Sequence, residues 1–375
     1  MSGVAMATWF SLPSISPPHR SNYVSDKMAQ VDAPPAHDIN EIRTTFVHNL
    51  AKGHQRENSL KIAQATVNYI RRIIALEKYE NIEDLLNVLR THLRYSISLA
   101  PTELVVRNIF LIAMKLAREE NMRALIGVDK EVGNPYDSLN TLWKAEENSA
   151  NASATGKKMR KGLAATIKEI LVELDSSREL IVSRADVLQL NDTVLTYGVS
   201  SSPTLRLFLE SARRTIKLRQ ILSVSSQLDD HSGPDFTYSI SLRDVAAAMT
   251  DVTKVLLPVS VVFPDGSALM PAGSLSIAHA AARHAVPVYG LAAFYKIAPY
   301  YSADAASAVN AQAGIGLPVK LADSLRHRVI LSPVFDVVPA HLLSLYISNS
   351  GAVLPSHMYR LIADYYHPED LTEEL

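Results

Sequence analysis

From Asp38 onward, apolar residues recur at three- and four-residue steps, the spacing of one helix face, in four successive segments. They predict helices over Ile39–Lys52, Ser59–Leu76, Asn81–Arg94 and Pro101–Glu120, with Asp38 as the first N-cap. In the second, Leu60, Ala63, Val67, Ile70 and Ile74 share a face that must be buried. The fourth opens on Pro101, whose missing N–H suits a first turn, and runs apolar through Val106, Ile109, Phe110, Ala113 and Leu116. A polar stretch, Asn134–Gly156, follows Gly133, contains Pro135 and reads as a linker. A long helix over Lys158–Leu188, with Leu163, Ile167, Ile170, Leu171 and Leu174 as its stripe, then joins two halves of different character.

Beyond that helix, short apolar runs alternate with helical segments, the pattern of a mostly parallel sheet covered on both faces. Strands are expected at Thr193–Tyr197, Gln220–Val224, Lys254–Leu257, Val286–Leu291 and Arg328–Leu331. Helices fit at Ser202–Arg214, Leu242–Asp251, Ser274–His284, Pro339–Ile347 and Pro355–Tyr366. The fold class is therefore α/β: an N-terminal helical bundle followed by a Rossmann-like, mostly parallel sheet domain. Residues 1–37, rich in Ser, Pro and Ala without periodicity, read as a mobile tail. The expected divisions are the tail at 1–37, the helical domain with its linker at 38–156, and the α/β domain at 157–375.

Composition narrows the function. At 375 residues the chain exceeds what one core usually organises. A hydrophobic share of 47% with mean hydropathy +0.05 is more than a freely soluble monomer needs, so some apolar surface is expected to face a partner. Lys and Arg (37) balance Asp and Glu (38), leaving no global field toward nucleic acid or an anionic membrane. Cysteine is absent, which excludes disulfides, thiolate metal sites and cysteine nucleophiles together. No apolar run approaches the roughly 20 residues of a membrane span, and Val4–Leu12 lacks the preceding positive charge of a signal peptide. A cytoplasmic protein without membrane or direct nucleic-acid partners is expected.

Catalytic motifs are sought at the carboxyl ends of the strands, where such sheets place their sites. Gly198-Val199-Ser200-Ser201-Ser202 follows the first strand and offers amides and hydroxyls to an anion, or ordinary helix capping by Ser201 or Ser202, which is the reading taken. Gly314-Ile315-Gly316 stops at Leu317-Pro318 and makes no dinucleotide fingerprint, and no serine of the first stretch has the glycine of a nucleophile elbow. His279 and His284 stand five apart on one predicted helix and face different ways, so no shared metal is expected. Lys157, Lys158, Arg160 and Lys161 read as a solvated helix face. Asp336 before Pro339 reads as a carboxylate capping the helix expected there. No cofactor or metal is implied.

The stretch Ser332–Leu371, ending in Tyr359-Arg360-Leu361 and Tyr366-His367-Pro368-Glu369-Asp370, closely resembles the end of the beta-type regulatory subunits of eukaryotic translation initiation factor 2B. Pro101-Thr102-Glu103, Asn108 and Arg118-Glu119-Glu120 resemble the fourth helix of that family's bundle. Ile170-Leu171-Val172-Glu173-Leu174 and Thr196-Tyr197-Gly198-Val199-Ser200 are similar too, so the resemblance runs from about Asp38 to the C-terminus. It implies a non-catalytic regulatory subunit of the guanine nucleotide exchange factor for initiation factor 2. The implied partners are the delta-like, alpha-like and catalytic subunits and factor 2 itself, above all its phosphorylated alpha chain. Partner-binding candidates carried by the resemblance are Glu103, Arg107, Asn108, Asp265, Gly266, Gly273, Phe335, Asp336, Tyr366, His367 and Pro368.

The same fold serves isomerases of methylthioribose 1-phosphate and ribose 1,5-bisphosphate, so a sugar-phosphate isomerase or binding protein is one alternative, and a homodimeric scaffold another. The isomerase cysteine falls at Gly198, its aspartate at Ser260 after Pro258-Val259, and its Asn-Gly-Asp pattern at Asp265-Gly266-Ser267. Ring opening and carbonyl migration need an acid and a base, which these residues do not supply. The sequence also departs from the regulatory subunits: only Ser225–Ser239 stands where a further helix and strand are usual, so a sheet layer is expected to be missing or remodelled. Pro258, Pro264 and Pro271 should stiffen the loop after the third strand.

Overall fold

A computed structural model describes residues 39–53, 58–100, 103–126, 152–225, 237–300 and 334–371. The expected tail, the strand at Arg328–Leu331 and the Gly314–Pro318 stretch lie outside them, as does the expected linker up to residue 151, whereas its last five residues belong to the long helix that follows. Helices α1 (Ile39–Gly53), α2 (Ser59–Leu76), α3 (Ile82–Leu99) and α4 (Leu104–Ile126) form the bundle. Asn58 and Asn81 cap α2 and α3 by accepting the N–H of Leu60 and of Asp84. The expected face of α2, from Leu60 to Ile74, is buried throughout. Helix α5 (Ala152–Ser183) packs on α2 and α4, burying Leu163, Ile167 and Leu174. Arg160, read as part of a solvated run, bonds the carbonyls of Glu77 and Tyr79 and lies over the Tyr79 ring.

The α/β half holds strands β1 (Thr193–Tyr197), β2 (Gln220–Ser225), β3 (Tyr238–Ser241), β4 (Lys254–Pro258), β5 (Val261–Val262), β6 (Ala268–Pro271), β7 (Val288–Leu291), β8 (Phe335–Val338), β9 (Leu345–Ser348) and β10 (Gly351–Val353). Seven of them form one sheet in the order β10-β9-β7-β4-β1-β2-β3, parallel except for β10 against β9. Taken over the parallel strands alone, this order reverses beside β1 as in doubly wound dinucleotide folds. Helices α6 (Pro203–Thr215), α7 (Val245–Ala248), α8 (Ser274–Arg283) and α9 (Met358–Tyr365) complete the half. Leu205, Phe208 and Leu209 of α6 join a core that runs on through α5 into the bundle, while Val245 of α7 and Ile277 and Ala281 of α8 cover the opposite sheet face. Strands β5, β6 and β8 form a small antiparallel sheet beside the large one.

Two expectations need correction. The segment Pro339–Ile347 is not a helix: Ala340–Leu342 makes one tight turn, and Leu345–Ser348 is strand β9, parallel to β7. Its buried Tyr346 and Ile347 belong to a short apolar run that fits either period, and the ladder offered by β7 decides it. The strand that could have been missing after β2 is present as β3, parallel to β2 at the sheet edge, while residues 226–236 before it lie outside the described residues.

Candidate functional site

In an open parallel sheet, ligands bind past the carboxyl ends of the strands where the order reverses, here beside β1 and β4. Gly198, the first residue after β1, has φ +69°, a left-handed conformation that favours glycine. A Cβ there would stand 3.4 Å from Pro258 Cγ, 3.8 Å from Pro271 Cγ and 3.3 Å from Ser201 Oγ. Two proline rings, which donate no hydrogen bond, thus wall the position. The Ser201 hydroxyl donates to the Gly198 carbonyl at 2.9 Å, and Ser202 Oγ accepts the Leu205 N–H at 3.4 Å. The stretch weighed as an anion cradle or a cap is engaged in capping α6 through Ser202.

Ser260 is half-buried, and its N–H donates to the Leu269 carbonyl at 2.9 Å. Across the crevice the Tyr197 hydroxyl donates to the Ala272 carbonyl at 2.8 Å. Gly273, with φ +104°, starts α8, and Asp336 Oδ2 accepts the N–H groups of Gly273 at 2.7 Å and Leu275 at 3.1 Å. Asp336 is therefore a cap, as expected, but on α8 and from strand β8 rather than on a helix following it. Its carboxylate meets the positive end of the α8 dipole. Lys296, which no sequence pattern singled out, follows β7 and donates Nζ to the Val259 carbonyl at 2.6 Å. Burial first, and the charge of Arg178 second, bring its pKa down to about 8.

The remaining candidates lie elsewhere. Asp265 is exposed and accepts the Ser267 N–H at 3.0 Å and hydroxyl at 2.6 Å. Gly266, at φ +78° between β5 and β6, presses on Pro355: a Cβ there would come within 2.4 Å of the Pro355 carbonyl oxygen. Phe335, half-buried, pairs in register with Pro271 and packs on the small core of Val261, Phe263 and Leu269. Asp265 and Gly266 thus stand at a hairpin, while Gly198, Gly273 and Asp336 meet at the crevice.

A third place collects the bundle candidates. Glu103 is half-buried before α4, and Arg107 lies over the Tyr300 ring at 4.2 Å. Asn108 is wholly buried. Its amide donates to the Tyr295 carbonyl at 3.1 Å and its oxygen accepts the Tyr300 hydroxyl at 2.8 Å, because the segment after β7 returns over α4. Tyr366 is buried and donates to the Ile297 carbonyl at 2.5 Å. His367 is half-buried, its pKa lowered by burial and then by Arg118, and Pro368 is exposed. Asp370, missed as a candidate, anchors the chain end: its carboxylate receives Arg118 at 2.9 Å and Arg90 at 3.3 Å with only 1% of its side chain exposed. Among the described residues no cluster of His, Asp and Glu could hold a metal ion, and no helix is long and apolar enough to cross a membrane.

A doubly wound sheet entered by a long helix from an N-terminal bundle, with a crevice held by backbone-directed groups, defines the class, and the chain belongs to the initiation factor 2 subunit family, whose model matches residues 55–355. The likeness to beta-type subunits holds over most of its length. It is 26% identical to translation initiation factor eIF2B subunit beta of Schizosaccharomyces pombe over 85% of this chain and 94% of that one. The Dictyostelium discoideum subunit beta is likewise 26% identical, over 61% of each chain. Among solved structures, eIF2B beta of Chaetomium thermophilum matches with TM-score 0.66 and 21% identity, over 90% of this chain and 95% of that one. A chain of the tetrameric eIF2B-beta2-delta2 complex of C. thermophilum matches with TM-score 0.64 and 22% identity, over 88% of this chain and 96% of that one.

Proposed function

We propose that this chain is a non-catalytic, beta-type regulatory subunit of translation initiation factor 2B, the exchange factor for initiation factor 2, and works in the cytoplasm. The observation that carries the non-catalytic part is the crevice itself. By the family resemblance Gly198 and Ser260 take the positions of the isomerase cysteine and aspartate and supply neither acid nor base; Pro258 and Pro271 wall the first, and the Asp336 carboxylate is spent on two amides. A site for sugar phosphate would instead leave polar side chains free to meet the ring oxygens.

The half after about residue 157 pairs with a delta-like subunit, and alpha-like and catalytic subunits complete the assembly. The exposed Tyr238 on edge strand β3, and Leu354 and Tyr359 beside β10, supply apolar surface suited to such contacts. The helical half, 38–156, contributes to sensing the phosphorylated alpha chain of factor 2, with Glu103 and Arg107 as the charged groups at the start of α4. Coexpression tests the reading: the chain should self-associate or aggregate alone and become monodisperse in sedimentation with a delta-like subunit. Exchange assays on assemblies with and without the chain should lose their response to phosphorylated factor 2 when it is omitted. A soluble monomer indifferent to the delta-like subunit would overturn the assignment.

A further inference from the structure

At the amino ends of β1 and β2, the opposite end of the sheet from the crevice, positive charge gathers on the surface. Helix α6 finishes with Arg213-Arg214-Thr215, and Lys217 and Arg219 follow before β2 begins. All four cations are exposed, within seven residues of a chain whose formal net charge is −1. Exposed Arg184, in the turn Arg184–Val187 that packs on α6, adds another.

The acids nearby are engaged elsewhere or stand on flanking turns. Glu210 is taken by Arg206 at 3.1 Å, and Asp192 by Lys254 at 2.8 Å, with further hydrogen bonds from the Gln189 N–H and the Thr253 hydroxyl. Asp186 and Asp251 are the exposed acids on the flanking turns. Among the described residues, Arg184, Arg214, Lys217 and Arg219 form no ion pair. The backbone beneath them is fixed: the Lys217 carbonyl accepts the Asn191 N–H at 3.3 Å, and the Arg219 N–H donates to the Asp192 carbonyl at 3.0 Å. Rigid anchoring lowers the ordering cost of using these side chains in a complex.

A leucine shares the corner: Leu190, next to the Asn191 that bonds Lys217, is 65% exposed. A phosphodiester strand gives aliphatic side chains little to bury, whereas a polypeptide that mixes carboxylates with an apolar residue uses both kinds of group. We propose that this corner, Arg184, Leu190, Arg214, Lys217 and Arg219, is a docking surface for an acidic segment of a partner protein that carries an apolar anchor. The surface lies beyond the function proposed above and does not depend on it.

The probe is a fluorescein-labelled peptide of alternating glutamate and leucine, titrated against the full chain in the assembly in which it purifies, with uridylate RNA of equal length beside it. The peptide should bind, with affinity falling as salt rises, and more tightly than the RNA. Arg214→Glu/Lys217→Glu/Arg219→Glu should weaken the peptide about tenfold or more, and Leu190→Ser about threefold with the salt dependence retained. The neutral Arg214→Gln/Lys217→Gln/Arg219→Gln variant guards against misfolding and should give an intermediate loss at an unchanged melting temperature. Undiminished peptide binding in both triple variants overturns the proposal. So does an RNA that binds more tightly than the peptide and is lost in the same variants, or a Leu190→Ser variant that binds as the parent does.

Discussion

The crevice beside β1 and the clasp at the chain's end use polar chemistry in opposite ways. At the crevice Ser201, Ser202, Tyr197 and Asp336 all bond backbone groups, so each side chain shapes a turn or a helix start. At the clasp the Asp370 carboxylate meets the guanidinium groups of Arg90 and Arg118, from α3 and α4, and so ties the last turn of the described chain to the bundle. The difference teaches that polar side chains at the crevice shape the local backbone, while charged groups at the clasp join segments far apart in the chain.

The comparison breaks most readily at the clasp. Asp370→Ala should cost about 3 kcal/mol in urea unfolding, because it removes the buried carboxylate that two guanidinium groups share and leaves them only the exposed Glu83 and Glu369. A loss below about 1 kcal/mol would show the pair to be no more than a solvated surface bridge. The crevice should yield less: Gly198→Ala costs about 1.5 kcal/mol through its positive φ and the proline contacts at its Cβ, measured by the same unfolding series.

A smaller effect belongs to the bundle. His92 accepts or shares a hydrogen bond with the Tyr69 hydroxyl at 2.7 Å, and burial lowers its pKa, against an opposing pull from Glu77. The unfolded chain then binds the proton more readily than the folded one, so stability is complete above about pH 6.5 and declines as pH falls through the lowered folded value. Thermal melts should fall by a few degrees between neutral and mildly acid buffer, and His92→Gln should flatten that slope. The smallest expected signal is none: the purified chain should turn over methylthioribose 1-phosphate and ribose 1,5-bisphosphate no faster than buffer, and clear isomerisation would restore the crevice to catalysis.

Elements with a strong private period were legible. The α2 face from Leu60 to Ile74 needs only its own spacing, and the runs at Thr193 and Lys254 are long enough in branched residues to read as buried strands. Strand β9 was not, because Leu342, Leu343, Leu345 and Ile347 satisfy a helix as well as a strand. Strand β3, Tyr-Ser-Ile-Ser, is too short and polar to announce itself. At the crevice Gly198 and Ser260 are plain in the sequence, but the Pro258 and Pro271 rings closing on Gly198 come from separate strands. Asp370 lay within the C-terminal motif without any sign that its partners were Arg90 and Arg118.

The sequence by itself determined the order of the halves, the helical faces, the absence of cysteine chemistry and the family likeness, since each rests on neighbours along the chain. Only the tertiary structure decided that Asn108 is buried, that Asp336 caps α8 from another strand, that β9 extends the sheet, and that Arg214, Lys217 and Arg219 stand together without acids of their own. Those outcomes depend on which distant segment arrives beside each residue. The pairing free energy of such contacts is set by burial and hydrogen-bond geometry, quantities that local periodicity does not encode.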